Sequence, residues 1–181
     1  YTPCEPRARW AIGAPSEGET QWIPSTAKLW GAASVLLGRP FVYLGGQGGS
    51  GKTHLTINHY SHMRLVVLTP TNKLAARHRK KYGLVRLGSK EHAEGMPACG
   101  TYYKFFRLGM GTKKLEEGVS PSDAWTPARM GKVALPEVLL WDEICFNPCS
   151  HVKKFVTFLR ERGVITVVAG DRGQLPCFDE E

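Results

Sequence analysis

The sequence predicts an α/β protein whose parallel sheet is flanked by helices, and three observations carry that reading. Short, continuous apolar runs recur at Phe41–Leu44, Leu65–Leu68, Val138–Trp141 and Val164–Ala169. They are too short for helices and suit strands covered on both sides. Segments with helical spacing separate several of them, the alternation that builds parallel sheets. Gly46-Gln47-Gly48-Gly49-Ser50-Gly51-Lys52-Thr53 directly follows the first run and fits G-x-x-x-x-G-K-[ST], the loop that joins a strand to a helix around a phosphate.

Residues 1–24 are rich in Pro, Gly and Glu and read as an N-terminal tail. Residues 25–181 read as one domain, a size that can bury a proper core. Ser25 to Leu37 is expected to be helical, because Leu29, Ala33 and Leu36 share one face. After the first strand and the glycine-rich loop, His54 to Arg64 is compatible with a helix. The second strand ends in Thr69-Pro70-Thr71-Asn72, and Lys73 to Tyr82 follows as a helix. Residues 83–100 are polar and Gly-rich apart from a short strand at Leu84–Leu87, and Thr101 to Leu108 begins another helix. Between Gly109 and Pro136 the pattern gives way to Gly, Pro and charge, so this stretch, with Trp125, is expected to be a surface insertion. The third strand, Val138 to Asp142, precedes a helix from His151 to Arg162, with Val152, Phe155, Val156 and Leu159 facing inward. The fourth strand is Val164 to Ala169.

The chemistry of the phosphate loop requires these residue types. Glycines let the backbone curl so that successive N–H groups converge on phosphate oxygens, and the helix N-terminus adds its positive dipole end. Lys52 then reaches the β- and γ-phosphates, and the Thr53 hydroxyl takes a Mg²⁺ position. Four specified positions arise by chance in roughly one chain of this length in a hundred. Binding of a nucleoside triphosphate is therefore expected, with Gly46, Gln47, Gly48, Gly49, Ser50, Gly51, Lys52 and Thr53 around it. Such a site needs a carboxylate at the end of a neighbouring strand, and the third strand runs into Asp142-Glu143. Asp142 suits the metal and Glu143 suits a base or water-orienting role. The fourth strand runs into Gly170-Asp171-Arg172-Gly173-Gln174-Leu175-Pro176, which would lie beside the loop. Gln174 there is the candidate sensor of the γ-phosphate.

Net charge is +8 with a pI near 9.4. That balance attracts polyanions, nucleic acid foremost, and the basic residues gather at Arg77–Lys81, Lys113-Lys114 and Lys153-Lys154. Cys4, Cys99, Cys145, Cys149 and Cys177 are an odd set without regular spacing. This argues against a secreted disulfide scaffold and for a reducing, intracellular compartment. Cys145-x-x-x-Cys149 has a metal-ligand spacing without a second pair, and His54, His59 and His62 crowd one helix; neither completes a zinc site. No apolar run approaches a membrane span, so no membrane partner is expected. The first residue, Tyr1, is not Met, and a piece of a longer protein is expected.

Together, GQGGSGKT, LTPTNKLAA, WDEI and GDRGQLP resemble motifs I, Ia, II and III of superfamily 1 helicases, in order, across residues 25 to about 178. The nearest branch is the RecD-like and Pif-type DNA helicases, whose third motif commonly reads Gly-Asp, two residues, then Gln-Leu-Pro. Thr101-Tyr102-Tyr103-Lys104 resembles that branch's motif Ib, with Tyr103 where the family usually has His. The resemblance implies a RecA-like P-loop NTPase domain using ATP and Mg²⁺. Lys52 and Thr53 would bind triphosphate and metal, Asp142 would position the metal, Glu143 would activate water, and Gln174 would couple the γ-phosphate to movement. Pro70, Thr71, Asn72, Thr101 and Tyr102 would contact single-stranded nucleic acid. Tyr102, Tyr103, Phe105, Phe106 and Phe178 offer aromatic faces for bases, with core packing the favoured reading for Phe105 and Phe106.

The family's adenine-reading Gln has no counterpart in Ala27 to Trp30. In the family, motifs IV to VI and the arginine finger lie in a second RecA-like domain, which the resemblance implies as a partner in the same or another chain. Two other readings share the phosphate loop and acidic pair: an RNA helicase domain of the viral-replicase type, and a regulatory nucleotide-binding module. The Gln-Leu-Pro ending and the Thr-Pro-Thr-Asn segment favour DNA.

Overall fold

In the computed structural model the described residues are 41–108, 125–130 and 134–171. The tail at 1–24, the expected helix Ser25–Leu37, much of the 109–136 stretch, and the third motif beyond Asp171, with Gln174 and Phe178, lie outside them.

Six strands form one sheet: β1 (Phe41–Gly45), β2 (Leu65–Thr69), β3 (Val85–Arg86), β4 (Ala98–Thr101), β5 (Val138–Trp141) and β6 (Ile165–Gly170). Their spatial order is β1-β6-β5-β2-β4-β3, and every pairing is parallel. Apolar runs become strands here because both faces are covered. All residues of β2, β4 and β5 are buried.

The two-residue period of a strand then divides the core. Val66, Leu68, Leu139, Trp141 and Val168 point to one face, where Tyr102 and Phe105 of helix α4 (Tyr102–Phe105) and Phe155, Phe158 and Leu159 of helix α5 (Cys149–Glu161) pack. Leu65, Val67, Val138, Leu140, Val167 and Ala169 point to the other. There they meet Leu55 and Ile57 of α1 (Lys52–His59) and Ala75 of α2 (Asn72–Tyr82). A single turn, α3 (Lys90–Ala93), joins β3 to β4.

Five expected strands and four expected helices are found, with shifts. α1 begins at Lys52 instead of His54 and ends at His59 instead of Arg64. β4 is a strand where only a polar, Gly-rich stretch is expected. Ala98-Cys99-Gly100-Thr101 has no apolar run, yet it is fully buried between β2 and β3. Its small residues are there for close approach: a Cβ on Gly100 would lie 2.6 Å from the Leu87 Cβ.

The expected surface insertion is also corrected in part. Trp125 is 2% exposed, donates its indole N–H to the Phe106 carbonyl at 2.9 Å, and packs edge-on against Phe155 and Phe158. Met130 is buried in the same cluster. A lone Trp in a Gly- and Pro-rich stretch is the signal that points to such an anchor.

At the centre of this face Phe106 and Phe155 stack with ring centroids 4.0 Å apart. Phe155 is fully buried. Truncating it leaves a cavity among Phe106, Trp125 and Trp141. Phe155→Ala is expected to lower unfolding stability by about 3–5 kcal/mol, read from the midpoint in urea denaturation. A loss below ~1 kcal/mol would mean that this cluster collapses to refill the space.

Candidate functional site

The site lies at the carboxyl ends of β1, β5 and β6, where ligands bind in open parallel sheets. β1 runs into the glycine-rich loop, and the loop's shape depends on glycine. Gly49 and Gly51 take φ of 79° and 87°, a region that L side chains rarely adopt. A Cβ on Gly48, Gly49 or Gly51 would meet no atom within 4 Å, so these glycines border open space. The loop is anchored to the end of β6, as Gly46 N–H donates to the Gly170 carbonyl at 3.1 Å and Gly48 N–H donates to Asp171 Oδ2 at 2.9 Å. Asp171 therefore holds the loop to the neighbouring strand. Sequence reasoning gave Asp171 no role, although its place immediately after a strand was the available signal.

α1 starts at the end of the loop without a side-chain cap and without an acidic residue in its first turn. Its first N–H groups have no intrahelical acceptor, and its dipole is not neutralised locally. That combination suits an anion. Lys52 supplies the cation: its Nζ donates to the Gly46 and Gln47 carbonyls at 2.5 and 3.0 Å and to Ser50 Oγ at 3.3 Å. Burial pushes the Lys52 ammonium below its usual lysine range, and the carboxylates of Glu143, Asp171 and Asp142 oppose that shift. Three acidic side chains thus act electrostatically on one lysine head.

Asp142 extends the alternation of β5 beyond Trp141 and so falls on the face covered by α1 and α2. It is 4% exposed. Thr53 Oγ1 donates to Asp142 Oδ2 at 3.0 Å, joining residues 89 apart in sequence. Asp142 is not on the strand next to β1, because β6 intervenes, but the loop and α1 carry Thr53 across to it.

The same oxygen has a second partner, which sequence reasoning missed. His78 Nε2 lies 2.8 Å from Asp142 Oδ2. His78 is 9% exposed, and its Nδ1 has no partner among the described residues. A half-satisfied buried polar group costs about 1–3 kcal/mol, so an apolar residue would suit this helix face better unless the contact with Asp142 matters. A lone His within the Arg77–Lys81 basic cluster gave no hint of its direction.

Glu143 adopts φ 53° and ψ 46°, a left-handed conformation uncommon for a residue with a side chain. The 3₁₀ turn Ile144–Phe146 follows it and packs on the end of β6. A Cβ on Gly170 would lie 2.8 Å from Cys145 Sγ and 2.9 Å from Ile144 Cγ2. Burial raises the Cys145 thiol above its usual range.

The expected strand-binding residues divide. Thr69 and Thr101 are paired in register at the ends of β2 and β4, which brings Pro70, Thr71, Asn72 and Thr101 to one edge. Thr71 and Thr101 are N-caps, accepting from Leu74 N–H at 3.2 Å and Lys104 N–H at 3.3 Å. Tyr102 needs correction: its ring is 3% exposed and packs 5.5 Å from Trp141, so it belongs to the core and presents no face to a base. Phe105 and Phe106 are core residues too, whereas Tyr103 is 44% exposed. Among the described residues no His, Cys, Asp and Glu gather into a metal cluster of three, and no helix is long and apolar enough to cross a membrane.

No protein-family model matches this chain, and no curated protein is significantly similar to it.

Gly170→Ala tests how tightly the turn bearing Glu143 rests on β6. The added methyl is expected to displace Ile144 and Cys145 and to lower stability by about 1–3 kcal/mol in urea denaturation. An unchanged midpoint would mean that the turn moves aside freely.

Proposed function

We propose that this chain carries a RecA-like P-loop NTPase domain, the ATP-binding and ATP-hydrolysing motor domain of a DNA helicase. The observation that carries the reading is the 3.0 Å bond between Thr53 and Asp142 beside Lys52. It gathers a hydroxyl at the end of the glycine-rich loop, an acidic strand end and a buried lysine at the first turn of α1. The order of the four motifs along the chain supports the helicase assignment, and the net charge of +8 suits a nucleic-acid partner.

The residues fit Mg·ATP. The uncapped first turn of α1 and the open glycine side of the loop accept phosphate oxygens, and Lys52 neutralises charge on the β- and γ-phosphates. Thr53 and Asp142 would hold Mg²⁺, which when bound offsets charge on the phosphate oxygens. Glu143, on its left-handed turn, orients a water and accepts its proton as that water attacks the γ-phosphorus and the bond to the β–γ bridging oxygen breaks, releasing ADP and phosphate. Gln174 reports the state of the γ-phosphate to the strand-binding edge. Pro70, Thr71, Asn72 and Thr101 border that edge, where backbone groups and small polar side chains suit sequence-independent contacts with single-stranded DNA, and Tyr103 offers an exposed ring for a base.

A second RecA-like domain, in the same or another chain, completes the site with an arginine finger worth several orders of magnitude in rate. Residues 1–181 by themselves should therefore bind Mg·ATP, hydrolyse it slowly and not separate strands.

ATPase turnover with and without single-stranded DNA, beside Lys52→Ala and Glu143→Gln, tests the reading. Turnover is expected to rise with DNA and to fall at least about a hundredfold in either variant. Turnover indifferent to Lys52→Ala would overturn the nucleotide assignment. Turnover unchanged in Glu143→Gln would point to a regulatory nucleotide-binding module, and stimulation by RNA in preference to DNA would point to the viral-replicase type.

A further inference from the structure

We propose that His78 is a positioning residue for the metal-binding carboxylate: its Nε2–H holds Asp142 Oδ2 so that the carboxylate is fixed for Mg²⁺ before nucleotide arrives. The inference rests on the Mg·nucleotide reading of the site.

His78 lies on the face of α2 that also carries Ala75, which packs against the sheet. A polar ring in such a place, 9% exposed, calls for a reason. Its one hydrogen bond among the described residues is the 2.8 Å contact from Nε2 to Asp142 Oδ2, and Nδ1 has none. An ionised carboxylate only accepts, so Nε2 carries a proton and donates to Asp142 Oδ2.

Two donors thus meet on one oxygen: the Thr53 hydroxyl from α1 and the His78 ring from α2. Neither uses Oδ1. With Oδ2 held from two helices the carboxylate cannot rotate freely, and Oδ1 remains available to a cation. Carboxylates that serve metals are commonly fixed by such partners, whose loss weakens metal affinity. The ring itself is a poor ligand for Mg²⁺, a hard cation that prefers oxygen. This favours service to Asp142 over direct coordination.

The Tyr82 ring packs against His78 and is itself backed by His54. Tyr82, one turn along α2, lies 5.7 Å from it, and His54 of α1 stacks on Tyr82 at 6.0 Å. His54 is next to Thr53, so both donors to Asp142 are braced by one aromatic row between the two helices.

The test is the Mg²⁺ concentration needed to saturate binding of a fluorescent ATP analogue by the full chain, beside the same binding in EDTA. His78→Ala is expected to raise the Mg²⁺ requirement by about 10- to 100-fold while metal-free binding stays within about twofold. His78→Gln, whose amide can donate to the same oxygen, is expected to recover part of the loss. An unchanged requirement in His78→Ala, an equal loss in EDTA, or a lower requirement would overturn the proposal; the last would show a ring that competes with the metal.

A two-bond ¹H–¹⁵N imidazole spectrum of the wild type keeps the question open to test if His78→Ala does not fold. A proton on Nε2 supports the assignment, and a bare Nε2 with the proton on Nδ1 alone contradicts it. If the wild type binds no nucleotide at all, the function reading fails and the proposal falls with it. If it binds with normal Mg²⁺ dependence but His78→Ala matches it, only the proposal fails.

Discussion

The Asp142 carboxylate is the constraint on which the rest of the site depends. A carboxylate that is 4% exposed is costly unless donors reach it, and here the donors come from two other elements. Thr53 brings the first turn of α1 and His78 brings the second turn of α2. Satisfying one charge therefore ties β5 to both helices of that face. It also sets where Lys52 sits, since that lysine follows the loop whose helix Thr53 belongs to. The apolar packing of Leu55, Ile57 and Ala75 against the sheet seats the two helices, and the polar contacts at their tops decide how they are aligned.

The second feature of the site is how tightly the carboxyl ends of β5 and β6 fit together. Glu143 sits in a left-handed conformation costing on the order of 1–3 kcal/mol, and the turn after it rests on Gly170, where there is no room for a methyl. One residue further, Asp171 reaches across to the glycine-rich loop. Glu143, the turn, β6 and the loop are thus linked through successive residues. A change at the loop can reach Glu143 without passing through the core.

Most of the sheet was legible because its central strands are covered on both faces and so are written as unbroken apolar runs. β4 was not, since Ala98-Cys99-Gly100-Thr101 is selected for closeness to Leu87, not for hydrophobicity. The meeting of the glycine-rich loop with the acidic pair was legible because a strand, a Gly-rich turn and a helix start can be read from residue type and spacing. His78 was not legible: its partner is 64 residues away, and only the helix packing reveals the contact. Tyr102 was read as a strand-binding residue because it follows Thr101 in the motif. Its ring turns inward beneath Trp141 and leaves the exposed position to Tyr103. Thr71 and Thr101 cap the helices that follow β2 and β4, so their hydroxyls shape that edge of the sheet.

The most direct measurement is calorimetric titration of ATP into the wild-type chain and into Asp142→Asn, each with Mg²⁺ and with EDTA. If Asp142 and Thr53 form a metal site beside a phosphate loop, Mg²⁺ strengthens ATP binding in the wild type. In Asp142→Asn that gain disappears, and the weaker metal-free binding remains. Equal Mg²⁺ dependence in the two proteins would contradict the account, as would a wild-type chain that binds no ATP under either condition.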